Sequence, residues 1–218
     1  TGEISVSAGI GTAGASIGAG LKENNFLGKG INLNTNFEIN DDSIKGQFIY
    51  AKPNFNYSDN TLFTSLKSSS SDFLTNSGYK TSELGFSVGT RFEQFQNIYL
   101  SPEIDFLIED LETSSKASKT IKKQEGSYTD LYFNYSINQD LRDKKFRTED
   151  GYTTTFSQEV PIVSDNAEFA NAFQVTKYKK LSSTSDMVGK ISFFGKTITG
   201  LSDDVRISKR LNVPTSKL

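Results

Sequence analysis

The 218-residue sequence contains no cysteine, no histidine and no tryptophan. Without cysteine there can be no disulfide framework, no thiolate metal site and no cysteine nucleophile. Without histidine a Ser-His-Asp triad cannot form, and the commonest zinc and iron ligand is missing. Only carboxylate chemistry stays open, so we expect a protein that is not an enzyme, with no catalytic residue, no metal and no cofactor.

Long apolar runs and an excess of positive charge are also absent. No stretch approaches the roughly 18 consecutive apolar residues of a membrane-spanning helix, and the mean hydropathy is −0.45. The 24 basic and 26 acidic residues give a net charge of −2, which provides no field to attract nucleic acid. We therefore expect no nucleic-acid partner. The chain begins at Thr1 without a methionine or a leader, so we expect it to be a piece of a longer protein.

The sequence is rich in two-residue alternation between apolar and polar side chains. In residues 31–40, Ile31, Leu33 and Phe37 alternate with asparagines and Glu38, which gives a strand one apolar and one strongly polar face. Segments of about ten residues suit the roughly 9 to 11 that a tilted strand needs to cross a bilayer. We identify about eleven such segments: 4–10, 15–22, 31–40, 43–52, 61–67, 83–92, 98–109, 130–138, 152–162, 168–178 and 187–198.

This pattern predicts an all-β fold, an antiparallel transmembrane β-barrel. A soluble sandwich or a lipocalin-like barrel would also alternate, but it would have to expose residues such as Phe37, Phe86 and Phe133 to water. Long loops are expected at 68–81 and 109–127, and short turns at the other end of the strands. Aromatic residues near strand ends are expected to form interfacial girdles: Phe26, Phe55, Tyr57, Phe92, Phe95, Phe146 and Tyr152.

Bacterial single-chain barrels have an even number of strands, so about eleven strands make an incomplete barrel. We expect further strands after Leu218, and a curved open sheet with two unpaired edges in these residues. Unpaired backbone groups cost several kcal/mol each in lipid, so the piece should not be stable there alone.

Two turns carry a specific resemblance. The residues Asn24-Asn25-Phe26-Leu27-Gly28-Lys29-Gly30 follow the second strand, and Asp140-Leu141-Arg142-Asp143-Lys144-Lys145-Phe146-Arg147-Thr148-Glu149-Asp150-Gly151-Tyr152 follow the eighth. Both resemble turns of BamA-type outer-membrane protein assembly factors, in the bacterial surface antigen superfamily. The matching positions are Asn25, Phe26, Leu27, Gly28, Gly30, Asp140, Arg142, Asp143, Phe146, Asp150 and Gly151. Thr148 stands where that family usually has proline.

The resemblance extends over residues 1–218 and implies the front two-thirds of a barrel domain: strands 1 to 11 and, at 200–218, the start of a loop that enters the lumen. It also implies preceding periplasmic POTRA domains, a sixteen-strand barrel and a seam between the first and last strands. In that family Leu218 would occupy the first position of a Val-Arg-Gly-Phe-type motif. The implied location is the bacterial outer membrane, and the implied partners are its lipid, nascent outer-membrane β-barrel proteins and accessory lipoproteins.

The resemblance implies assembly and insertion of other barrel proteins. The alternatives are a TamA-like module or a two-partner secretion transporter that exports a polypeptide, and a passive porin. For assembly, the first strand offers an edge for pairing with a client strand: Ile4, Ser5, Val6, Ser7, Ala8, Gly9 and Ile10. Its glycines and small inward residues should make its pairing easy to open, although small residues could also merely relieve crowding. We expect Asn24–Gly30 on the periplasmic side and the loops at 68–81 and 109–127 outside.

Overall fold

The computed structural model describes residues 2–11, 14–182 and 186–211, and these fold into a single eleven-stranded sheet in chain order. Each strand pairs antiparallel with the next, which confirms the all-β prediction. No helix in the described ranges is long and apolar enough to cross a membrane.

The strands are β1 (Gly2–Gly11), β2 (Gly14–Phe26), β3 (Ile31–Asn40), β4 (Ser43–Lys52), β5 (Thr61–Phe73), β6 (Tyr79–Phe95), β7 (Ile98–Thr113), β8 (Gly126–Asp140), β9 (Gly151–Ser164), β10 (Glu168–Lys180) and β11 (Val188–Gly200). A 3-10 turn lies at Phe55–Tyr57 and a one-turn helix, α1, at Lys119–Lys122.

The two long loops are shorter than the sequence predicted. β5 continues to Phe73 and β6 starts at Tyr79, so most of 68–81 is strand and only 74–78 connects. Likewise β7 runs to Thr113 and β8 begins at Gly126, which reduces the predicted 109–127 loop to 114–125. The serine run of β5 has no apolar alternation to reveal it, yet its backbone pairs with β4 and β6 throughout.

The alternation separates two faces of the sheet. Residues such as Leu84, Phe86 and Phe106 lie on the outer face and are exposed. The residues next to them in the sequence, such as Ser87 and Asp105, lie on the inner face and are buried. An apolar outer face and a polar inner face are the arrangement of a barrel that stands in lipid around a hydrated lumen.

The sheet is strongly curved around its polar face. A single cavity of about 440 Å³ is lined by residues from β4 through β11, including Gln47, Asp105 and Lys196. Neighbouring strands lie about 4.8 Å apart, so a flat sheet could not bring eight of them to one small cavity. The sheet is therefore an incomplete barrel, open between β1 and β11, each of which pairs with one strand only in the described chain.

Candidate functional site

The free edge of β1 is the first functional candidate. β1 pairs with β2 over ten residues, from Gly2 opposite Glu23 to Gly11 opposite Gly14, and no described strand pairs with its other edge. Ile4, Val6 and Ile10 are about 80–90% exposed on the outer face (81%, 79% and 92%). Ser5 and Ser7 line an open inner cavity of about 690 Å³. The structure thus places the predicted residues on the outermost strand, along one lateral edge of the sheet, with their backbone accessible.

The inner faces of β1 and β2 interlock through serine and glycine. Ser5 lies opposite Gly20, and Ser7 lies opposite Gly18. A Cβ atom at Gly20 would lie 2.6 Å from the Ser5 hydroxyl oxygen, and one at Gly18 would lie 2.7 Å from that of Ser7. The glycines of β2 therefore make room for the serines of β1. Because no large side chain lies between the strands at these two pairs, backbone hydrogen bonds carry most of the pairing there.

The predicted turn after β2 is a tight hairpin connection. Leu27 and Gly28 both have positive φ, 56° and 70°, and the Lys29 N–H donates to the Phe26 carbonyl at 3.2 Å, as in a type I′ turn. The Asn25 side-chain oxygen accepts from the Gly30 N–H at 2.6 Å. These contacts give Asn25, Gly28 and Gly30 of the motif a local structural role.

The predicted turn after β8 is held by carboxylates in two ways. Arg142 binds Asp140 through two contacts of 2.8 Å. Asp143 does not pair with Arg142; its Oδ1 accepts the backbone N–H groups of Glu149 and Asp150, each at 3.1 Å. These two N–H donors hold the pKa of Asp143 below its usual range, the Asp150 N–H more strongly. Gly151 closes the turn at φ 102°, where a Cβ would lie 2.2 Å from the Leu141 carbonyl oxygen.

The predicted girdle aromatics all lie toward one end of the sheet. Phe26 and Phe95 end strands there, Tyr152 begins one, and Phe55 and Tyr57 form the 3-10 turn at that end. Phe92 lies three residues before Phe95, and Phe146 lies in the connection between β8 and β9. We call this end, formed by the connections after β2, β4, β6, β8 and β10, the even end, and the opposite one the odd end. The aromatic set therefore marks one boundary of the apolar band.

A buried arginine cluster lies at the odd end of the inner face, and the sequence analysis missed it. The side chain of Arg206 is fully buried. Its guanidinium contacts Glu109 of β7 at 3.1 Å, Asp130 of β8 at 2.5 Å and Glu168 of β10 at 3.4 Å. The Arg206 N–H also donates to Glu168 at 2.7 Å. One arginine thus joins three strands to the segment that follows β11.

Further contacts fix residues 201–211 over the inner face. Gln124, in the connection after β7, accepts from the Ile207 N–H at 2.9 Å and donates to the Val205 carbonyl at 3.5 Å. Lys209 pairs with Glu83 of β6 at 3.1 Å. The segment therefore covers the odd-end inner surface from β6 to β10. The remainder of the predicted lumen loop, residues 212–218, lies outside the described residues.

A sequence signal for this cluster existed but was incomplete. Glu109, Asp130 and Glu168 are acidic residues at inward positions near the odd ends of their strands, and three such acids need a cation. Which of the 24 basic residues supplies it cannot be read from alternation, because Arg206 is 76 positions from Asp130. Among the described residues no group of acidic side chains is arranged to hold a metal ion.

An open, strongly curved antiparallel sheet with a polar lumen and an apolar exterior defines the class of transmembrane β-barrel proteins. The Omp85 superfamily domain model matches residues 25–213. The chain therefore belongs to the Omp85 superfamily, a family of outer-membrane β-barrel proteins.

The structure is similar to the crystal structure of BamA from Haemophilus ducreyi lacking POTRA domains 1–3. The TM-score is 0.75 at 20% sequence identity over 92% of this chain. At this identity the likeness establishes the fold. The chain spans 41% of that structure's length. No curated protein matches the chain.

Proposed function

We propose that this chain is part of a barrel domain that assembles and inserts β-barrel proteins into the bacterial outer membrane, with the free edge of β1 as the template for a client strand. The observation that carries the proposal is that edge itself, at the end of an Omp85-type sheet. The work is strand pairing and needs no catalytic group. The partners are membrane lipid, nascent barrel proteins and accessory lipoproteins, and the even end faces the periplasm.

Strand addition at β1 is strongly favoured inside a bilayer. An unpaired edge presents a row of N–H and C=O groups, and in lipid these find no water to bind. A client strand satisfies them through main-chain hydrogen bonds that do not depend on client sequence.

Side chains then set the register. Ile4, Val6 and Ile10 face outward beside the client's lipid-facing positions, while Ser5 and Ser7 face the lumen. A slip of one residue would turn every side chain of the client to the wrong face.

Cysteine cross-linking tests this proposal directly, because the chain has no cysteine of its own. Single cysteines at positions 4 to 10 are paired, in the full-length protein, with cysteines along the last strand of a stalled client. We expect disulfides in one register, each position choosing one client residue. Cysteines at Leu84 and Phe86, on the outer face of the central strand β6, are the matched control and should not cross-link.

Strong cross-linking at another strand, with no register along residues 4–10, would contradict the template role. Cross-links distributed along the inner face, at positions such as Asn134, would indicate a polypeptide passing through the lumen, as in an exporter.

A further inference from the structure

The connection between β8 and β9 presents an exposed apolar residue between two cations. Phe146 is 82% exposed, and its neighbours Lys145 and Arg147 are exposed as well. Arg147 has a positive φ of 54°, which bends the chain sharply at this point. We call Lys145, Phe146 and Arg147 the KFR tip. A phenylalanine this exposed in the connection 141–150 buries little of its ring within the described chain, so its surroundings have to come from outside it.

The KFR tip is held on a braced frame. Asp143 caps the Glu149 and Asp150 N–H groups, and the Thr148 hydroxyl donates to the Lys144 carbonyl at 2.7 Å. Two ion pairs tie this frame to the end of β10: Lys180 with Glu149 at 2.9 Å and Lys179 with Asp150 at 2.7 Å. A frame of this kind presents the tip in one conformation, which lowers the entropic cost of binding.

The cations at the tip are available for a partner. Lys144, Lys179 and Lys180 are neutralised by carboxylates. In the described part of the chain no ion pair forms at Lys145, Arg147 or the nearby Lys177. Lys145 lies 5.9 Å from the ring centroid of Tyr99, an inner-face residue of β7, and therefore stands on the lumen side. Lys177 lies 5.7 Å from the ring centroid of Tyr152. Lys177 occupies an outward position of β10, two residues beyond Val175. The sector therefore combines unpaired positive charge with aromatic surface.

The location of the tip points to lipid. It lies at the even end, beyond outer-face residues such as Phe173, Ile191 and Phe193, which are exposed. Every even-end connection has an exposed large apolar residue in it or at its border: Phe26, Leu27, Phe55, Tyr57, Phe95, Leu141, Phe146, Leu181 and Met187. The described odd-end connections between strands, 41–42, 74–78, 114–125 and 165–167, have none. The apolar surface thus continues from the lipid-facing strands into this rim.

We infer that the KFR tip, together with Lys177, binds the headgroups of anionic phospholipids in the leaflet at the even end. Phe146 enters the boundary between headgroups and acyl chains, and Arg147 and Lys177 contact lipid phosphates. Each cation near an anionic membrane surface contributes about 1 kcal/mol, a roughly fivefold change in affinity. This assigns a role to the turn after β8 that does not depend on client insertion.

The test uses a tryptophan reporter, since these 218 residues contain no tryptophan. Phe146→Trp is introduced into the full-length protein, which is reconstituted with dibrominated phosphatidylglycerol or dibrominated phosphatidylcholine at equal mole fraction. The difference from the unsubstituted protein isolates the reporter's fluorescence. We expect stronger quenching by brominated phosphatidylglycerol, and a preference that falls roughly fivefold for Arg147→Gln and for Lys177→Gln but changes little for Lys145→Gln on the lumen side.

A matched reporter stands at the other end. Ile121 is also flanked by lysines, Lys119, Lys122 and Lys123, but in the odd-end connection after β7. Ile121→Trp should show no such preference, which excludes general attraction of lysines to anionic vesicles. Three outcomes would overturn the inference: equal quenching of Phe146→Trp by both lipids, a preference that survives both Arg147→Gln and Lys177→Gln, or no quenching at all. An absence of quenching would place the KFR tip against protein or water.

Discussion

β1 and the β7–β8 pair belong to one sheet but are stabilised in different ways. The inner faces of β7 and β8 contribute Glu109 and Asp130 to a fully buried cluster around Arg206. The inner face of β1 carries one charged residue, Glu3, and otherwise serine and glycine, and these residues are exposed. Buried charges that are paired hold their elements firmly, because opening would leave a charge without a partner.

The contrast identifies where such a barrel can open. Residues 201–211 hold β6, β7, β8 and β10 together from inside, whereas no described part of the segment touches β1 or β2 through a hydrogen bond or ion pair. Opening at β1 breaks one backbone ladder, while opening at β8 also breaks the arginine cluster. We therefore expect strand exchange at β1 to leave the rest of the sheet intact.

The largest expected effect comes from removing the arginine. Arg206→Met leaves Glu109, Asp130 and Glu168 buried together without their cation, which should lower the free energy of unfolding by about 3–5 kcal/mol. Urea unfolding of the full-length protein, followed by heat-modifiable gel migration, measures this loss. The substitution should weaken mainly the pairing of β7 and β8, and the yield of client cross-links at β1 should be affected less.

Arg210→Met is the control for that substitution. Arg210 lies in the same segment, but it is exposed and its Nε donates only to the Val205 carbonyl, at 3.1 Å. We expect a change below about 1 kcal/mol. Equal effects of the two substitutions would show that the buried cluster does not stabilise this region more than an exposed contact does.

The second prediction concerns the interlocked serine and glycine of β1 and β2. Gly20→Ala places a Cβ 2.6 Å from the Ser5 hydroxyl and 3.2 Å from the Asn36 side-chain oxygen. Crowding of this kind should cost about 1–3 kcal/mol and should loosen β1 specifically, seen as faster amide exchange in residues 4–10.

Adding Ser5→Gly to Gly20→Ala should restore most of the loss, because it removes the closer of the two contacts. Gly46→Ala on β4 is the matched control, since its Cβ would meet only the Phe37 ring at 3.8 Å, an ordinary contact. If Ser5→Gly gave no rescue, the interlock would not be the cause.

Sequence reasoning captured the parts of this fold that depend on local periodicity. Alternation in segments such as 31–40 predicted the strands and which residues face lipid, because strand geometry repeats every two residues. It failed for Ser68–Ser71, where identical residues carry no period, and for Arg206, whose partners are brought close only by curvature of the sheet. Nor does the adjacency of Arg142 and Asp143 in the sequence reveal that the Asp143 carboxylate caps the returning chain.

A third prediction distinguishes the two edges of β1. Successive N–H groups of a strand point to opposite sides, so Ser7→Pro and Ala8→Pro remove donors from opposite edges. One substitution should cost about 1 kcal/mol by removing a hydrogen bond to β2. The other should leave stability nearly unchanged and reduce client cross-linking at residues 4–10. If both variants behaved alike in both measurements, the free edge would have no separate role.

The smallest effect is expected at the turn after β8, where carboxylates are exposed rather than buried. Backbone N–H donors lower the pKa of Asp143 below its ordinary value of 3.8. Side-chain hydrogen bonds from Lys180 and then Lys144 lower that of Glu149, and the hydrogen bond from Lys179 lowers that of Asp150. A carboxyl whose folded pKa is depressed contributes stability above its unfolded pKa and loses it as the pH falls through the folded pKa.

The turn should therefore keep its conformation as the pH drops through the ordinary carboxyl range, and loosen only below it. Carboxyl and amide chemical shifts at Asp143, Glu149 and Asp150 follow this transition, and Asp143→Ala should remove the Asp143 cap at every pH. A turn that loosened at the ordinary carboxyl pKa would show that these exposed contacts, unlike those of Arg206, contribute nothing to the fold.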